Sequence, residues 1–203
     1  WHPSQPYLSL PSLTGFLRQG GVSDVSQRDL GIELLDTVLT RAYAAEVYQQ
    51  LIAKQRELER TQTGETGFGS REHYAKVTDS LDRFSYLVDR IELAKDTLRS
   101  EGFYDPDAYR ASLFMIDKWL EVVSSVYFPT RLTVVDNQFG SYSIYSSKDL
   151  MKVIRDEGQN PYLNLFRDRF IPSIVNDRPD LIGVSITATS QIIPGLTLCR
   201  LIK

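Results

Sequence analysis

The sequence predicts an α/β protein whose parallel sheet is interrupted by a large, mostly helical insertion. Three observations carry this. Leu181 to Thr187 is a short β-rich apolar run entered through Pro179-Asp180, as a buried strand would be. Ile192 to Ile202 follows a small polar loop and reads as a helix, with Pro194 tolerated in its first turn. A second strand-like stretch, Val22 to Arg28, lies far upstream, so about 150 residues separate two pieces of one sheet, far beyond an ordinary connection.

Taken in order, the chain opens with a proline-containing loop, Trp1 to Tyr7. Leu10, Leu13, Phe16 and Leu17 then recur at helical spacing, and Gly20-Gly21 provides the stop. After Val22 to Arg28, Asp29 is an N-cap for a long helix to about Arg60. The apolar face predicted for it runs through Leu35, Val38, Leu39, Ala42, Ala45, Tyr48 and Ile52. Thr61 to Ser70 is glycine-rich and aperiodic, hence a loop. Tyr74, Val77, Leu81, Phe84, Val88, Ile91 and Leu98 give the cleanest amphipathic helix. Asp105-Pro106 is an N-cap and N1 pair opening another helix, with Leu113, Ile116, Leu120 and Val123 on its face and Pro129 beyond its end. Three long helices are enough for a bundle. A hairpin or an ordered loop is expected near 131–145, around the turn Asp136-Asn137-Gln138-Phe139-Gly140. Short helices should follow, one capped by Ser146 or Ser147 and ending near Gly158, one from Asn160-Pro161 that Pro172 kinks or ends. The division is therefore residues 1–30, first part of the α/β domain; 31–178, helical insertion; and 179–203, returning strand and helix.

Composition narrows the functional classes. The chain of 203 residues is 42% hydrophobic and 24% charged, ordinary for a globular domain. A net charge of -3 offers no basic footprint for nucleic acid. No apolar run reaches the roughly 20 residues of a membrane span, and no secretory signal is present; a cytoplasmic location is expected. With one cysteine, Cys199, and two histidines, His2 and His73, Cys-cluster zinc and iron–sulfur sites are excluded within the chain. Cys199 is expected as a small buried hydrophobe on a helix face, and His73 as part of a solvated face. The charges Asp79, Asp82, Arg83, Asp89, Arg90, Glu92 and Lys95 likewise read as a solvated helix surface.

Two stretches carry a resemblance. Trp1 to Leu17 (Trp-His-Pro-Ser-Gln-Pro-Tyr-Leu-Ser-Leu-Pro-Ser-Leu-Thr-Gly-Phe-Leu), followed by Gln27-Arg28-Asp29-Leu30, resembles the start of the cobalamin-binding domain of cobalamin-dependent radical SAM proteins. Arg178 to Thr187 resembles a later strand of the same domain, and Tyr142 to Leu150 is similar to a subgroup with a helical insertion, including proteins near peptide-modifying gene clusters. The likeness covers both ends and only loosely the middle. It implies a flavodoxin-like (Rossmann-like) parallel sheet holding cobalamin at its C-terminal edge. It also implies a following barrel domain of the same parent chain, with a 4Fe-4S cluster, S-adenosylmethionine and possible peptide substrates. The Cys-x-x-x-Cys-x-x-Cys motif of that barrel and the Asp-x-His-x-x-Gly motif of His-ligated cobalamin domains do not occur here. The chain is thus expected to be an N-terminal fragment, incomplete at both ends and not catalytic alone.

The site expectation follows from the strand–loop–helix order and the resemblance together. In open α/β sheets, ligands bind outside the carboxyl ends of strands, which points to the loop Ser185 to Ser190. Ser185, Thr187, Ala188, Thr189 and Ser190 are the cofactor candidates there. Ser185 matches the family's serine that contacts the nucleotide tail, while Thr187 replaces the family's Leu. Trp1, His2, Pro3, Ser4 and Gln5 are candidates for the opposing loop. His2 falls where a lower axial ligand arises in the His-ligated class, but its surroundings do not match that motif, and no metal ligand is assigned. Tyr142, Tyr145 and Phe139 are either a substrate wall or ordinary packing. The rival reading is a helical protein-interaction domain on an α/β remnant, without cofactor. A nucleotide-binding domain ranks last, since neither Gly-x-Gly-x-x-Gly nor Gly-x-x-x-x-Gly-Lys-Ser/Thr occurs.

Overall fold

The computed structural model describes residues 8–61 and 68–203. Trp1 to Gln5 lie outside the described residues. The fold is helical. The elements are α1 (Ser9–Gln19), α2 (Leu30–Val38), α3 (Arg41–Thr61), α4 (Phe68–Leu98), α5 (Pro106–Val126), β1 (Arg131–Leu132), β2 (Asn137–Gln138), α6 (Ser147–Val153), α7 (Pro161–Leu165), α8 (Ile171–Asn176) and α9 (Ile192–Ile202). β1 and β2 form an antiparallel pair, with Arg131 opposite Gln138 and Leu132 opposite Asn137. Among the described residues there is no parallel sheet, so the flavodoxin-like expectation is overturned.

The reason lies in the two segments expected to be strands. Residues 22–29 and 181–187 have no regular secondary structure. No backbone hydrogen bond ties 181–186 to another described segment. Leu181, expected in a buried strand, is 89% exposed, and Ile182 and Ile186 are also exposed. A strand exists only through the ladder of a neighbour, because its N–H and C=O groups point sideways out of the chain. β-propensity alone leaves an extended segment. The expected hairpin does form, held from beneath rather than by a long ladder. The Leu132 N–H donates to Ser124 Oγ at 2.8 Å and the Val134 N–H to Asp117 Oδ1 at 2.7 Å, both from α5.

The helical signals fare better because their hydrogen bonds are local. Asp29 accepts from the N–H groups of Gly31 and Ile32, and Asp105 from those of Asp107 and Ala108. Ser146 caps α6 and Asn160 caps α7, each through its side-chain oxygen. Gly20 ends α1, and Gly21 takes the left-handed conformation (φ 90°) that glycine adopts without a Cβ penalty. Pro172 sits in the first turn of α8, preceded by a single π turn at Phe166–Phe170. A proline at 172 cannot donate to the carbonyl four residues back, and the wider turn absorbs the lost bond.

One helix is two. The pattern predicted as continuous from Asp29 breaks at Leu39-Thr40. Thr40 Oγ1 accepts from the Tyr43 N–H, capping α3, and donates to the Thr37 carbonyl, closing α2. The break rotates α3. Its buried residues are Tyr43, Ala44, Val47, Leu51 and Leu58, whereas Ala42, Ala45 and Tyr48 are exposed. It also frees the carbonyl of Val38, which receives the indole N–H of Trp119 at 2.8 Å. Trp119 is fully buried, with Phe84 edge-on to its ring at 5.7 Å. α3, α4 and α5 pack together as the expected bundle.

α9 joins this body. Ile193 and Leu198 belong to the same core cluster as the bundle residues. Buried Asn160 donates through Nδ2 to the Val153 carbonyl at 3.0 Å and to Thr197 Oγ1 of α9 at 2.9 Å. Thr197, not Cys199, occupies the buried face. Cys199 is exposed, correcting the expectation of a buried thiol. His73 is corrected the other way. It is half-buried, donates from Nε2 to the Ser125 carbonyl at 2.8 Å, and stacks on Phe128 at 4.8 Å.

Candidate functional site

The loop Ser185 to Ser190 joins the extended segment to α9. Ile186 lies directly on the helix: a Cβ at Gly195 would come within 2.6 Å of Ile186 Cδ1, so the missing side chain lets the segment approach. Val184 leans the same way, 4.0 Å from that position.

The polar groups of the loop divide into spent and free. Gln191 Oε1 accepts from the Thr187 N–H at 2.7 Å, the Thr187 hydroxyl at 3.0 Å and the Ala188 N–H at 3.3 Å. The Ser190 carbonyl accepts from Asn137 Nδ2 at 3.3 Å, tying the loop to β2. No hydrogen bond to another described group engages the hydroxyls of half-buried Ser185 or exposed Thr189. Of the five candidates in the loop, two therefore retain free hydroxyls, and the backbone donors beside them are occupied by Gln191.

The N-terminal partner of this loop reaches it indirectly. Arg28, in the segment that follows α1, forms a bidentate pair with Glu33 and donates through Nη1 to Ser173 Oγ of α8 at 2.8 Å. Across 145 residues of sequence this brings the first resembling segment beside the approach to the second. The aromatic candidates do not form a wall. Phe139 is buried against Tyr162, and the Tyr142 hydroxyl donates to Asp156 Oδ2 at 2.6 Å, which pushes its pKa up to about 12. Tyr145 is 90% exposed.

A cavity among α2, α5, α7 and the hairpin is a second place to test. Leu34, Val38, Tyr43, Leu120, Asn137 and Tyr162 are among its walls, and its volume is about 20 Å³. That admits one water and no substrate. Burial holds the hydroxyls of Tyr43 and Tyr162 protonated far above the usual range and pushes Tyr127 up to about 12. These phenols stay neutral, and the cavity is a packing feature. Sequence reasoning missed Asn137 as the tie between hairpin and loop, and Gln191 as the group that fills the loop's donors. A turn asparagine and a polar residue at a helix start were the signals present.

Among the described residues there is no cluster of His, Cys, Asp and Glu able to hold a metal, and no helix long and apolar enough to cross a membrane. Compared with family models, curated proteins and solved structures, the chain matches none.

Proposed function

We propose that the chain is a cobalamin-binding module serving a cytoplasmic radical SAM enzyme, with catalysis residing in a barrel domain of the same parent chain. The sequence resemblance at both ends motivates this reading. The observation that supports it is the Arg28–Ser173 contact, which ties the end of the first resembling segment to α8, the helix that precedes the second. The fit to a corrin nucleotide tail is partial. Ser185 and Thr189 have hydroxyls to offer, whereas Gln191 must swing aside before the N–H groups of Thr187 and Ala188 can contribute. When bound, the corrin supplies a cobalt centre, and this chain supplies contacts to its tail. The test is retention of hydroxocobalamin by the full-length protein, followed by the visible spectrum after desalting. Ser185→Tyr with Thr187→Tyr should abolish retention, and a parent protein that never retains the corrin overturns the proposal.

A second reading, a helical interaction module without cofactor, draws on α1. Leu13 is 53% exposed and Phe16 73%, so its apolar stripe meets solvent. Under that reading the loop substitutions change nothing, and Phe16→Ser weakens partner capture.

A further inference from the structure

We infer that the outer face of α6 is a docking surface for an acidic, apolar-containing peptide. Lys148, Met151 and Lys152 recur at the i, i+3, i+4 spacing that places them on one face of α6, and Arg155 follows two residues past its end. All four are exposed, while Val153 and Ile154 face the core. Tyr145, just before the helix, projects 90% exposed beside them. A cation from a distant element completes the patch: Arg200 of α9 donates to the Ile154 carbonyl at 3.2 Å, bringing its guanidinium against the end of α6.

What marks this face is its unneutralised charge. The chain carries a net charge of -3, yet none of Lys148, Lys152, Arg155 and Arg200 has a carboxylate partner among the described residues. The nearby acids are occupied elsewhere. Asp149 accepts from the Ser143 N–H, Asp156 from Tyr142 and the Gly158 and Gln159 N–H groups, and Glu157 pairs with Arg167 at 2.8 Å. Several exposed cations elsewhere do find acids, as Arg41 does with Asp89 and Glu92 and Arg99 with Asp36.

Charge complementarity sets the occupant's sign, and the apolar groups set its character. Tyr145 and Met151 interleave with the cations, so the ligand needs apolar side chains between its carboxylates. From Lys148 to Lys152 the helix rises about 6 Å, the length of about two extended residues. A short acidic peptide fits that span. A nucleic-acid backbone fits less well, since the remainder of an acidic chain repels it. This inference does not depend on the cobalamin reading.

The experiment measures fluorescence anisotropy of a labelled dodecapeptide alternating Asp or Glu with Leu or Phe. Controls are its Asn/Gln counterpart and a single-stranded oligonucleotide. The acidic peptide should bind best, and affinity should fall as salt rises. Lys148→Glu/Lys152→Glu/Arg155→Glu should weaken binding about tenfold or more, consistent with several exposed ion pairs lost and reversed. Tyr145→Ala should cost a further severalfold. These positions are exposed, and unchanged circular dichroism and hydroxocobalamin behaviour would verify that the fold survives. Equal binding of the neutral peptide, indifference to the charge reversal, or tighter binding of the oligonucleotide would each overturn the proposal.

Discussion

The body of the molecule and its two end segments are built from similarly apolar sequence, yet they end differently. In the body, Val47, Val77, Ile91, Ile116 and Trp119 are removed from solvent, and the caps of α2, α5, α6 and α7 are satisfied by side chains one to three residues away. At the ends, Phe16, Val22, Leu181 and Ile182 remain exposed, and residues 22–29 and 181–187 have no regular secondary structure. Apolar content does not bury a segment. Burial requires an element whose own backbone is already satisfied, so that its side chains can pack without stranding polar groups.

That contrast can be broken most forcefully at Trp119. Trp119→Ala removes the largest fully buried side chain and orphans the Val38 carbonyl, and should cost about 4 kcal/mol or more, read from the urea midpoint. A cost under about 1 kcal/mol would show that the α2–α3 break does not depend on it. Next is the tie between α9 and the body. Asn160→Ala removes the bonds to Val153 and Thr197 and the cap of α7, and should cost about 2 kcal/mol. Arg28→Ala, at the junction of the two end segments, removes a half-exposed pair and should cost at most about 1 kcal/mol. Its more telling readout is amide exchange, which should rise in both 22–29 and 171–177.

A pH test probes the body alone. Burial lowers the His73 pKa below the ordinary histidine value of about 6.5, outweighing the Ser125 hydrogen bond. The unfolded state therefore binds the proton first as pH falls. Stability from this group is present above about pH 6.5 and is lost progressively below it. Comparing urea midpoints at pH 7.5 and 5.5 should show a loss that His73→Phe diminishes; an unchanged loss would assign the acid sensitivity elsewhere. The smallest effect is expected at the ends: Leu181→Ser should shift stability by less than about 0.5 kcal/mol, since the side chain is already in water. A large loss there would mean that the segment is paired in solution.

Legibility followed the range of the interactions. Asp29, Asp105, Ser146 and Asn160 were readable as caps because each bonds its own neighbours. The phase of α3 was not readable, because it is set by Thr40, whose hydroxyl ends one helix and begins the next. Trp119 gave no sign of being a cap, since its acceptor lies 81 residues away. At the candidate site, the loop from Ser185 to Ser190 was located by its place before α9, but Gln191 and Asn137, which decide which of its polar groups are free, enter only through side-chain geometry.

By itself, then, the sequence determined the capped helix starts at Asp29, Asp105, Ser146 and Asn160 and that three long helices form a bundle, because 3.6-residue periodicity and capping are written within a few residues. It also marked residues 181–187 as a β-rich apolar run. Whether that run becomes a strand was decided only by the tertiary structure. A helix closes its hydrogen bonds on itself, whereas a strand must find its partners across space, and among the described residues none stands beside it.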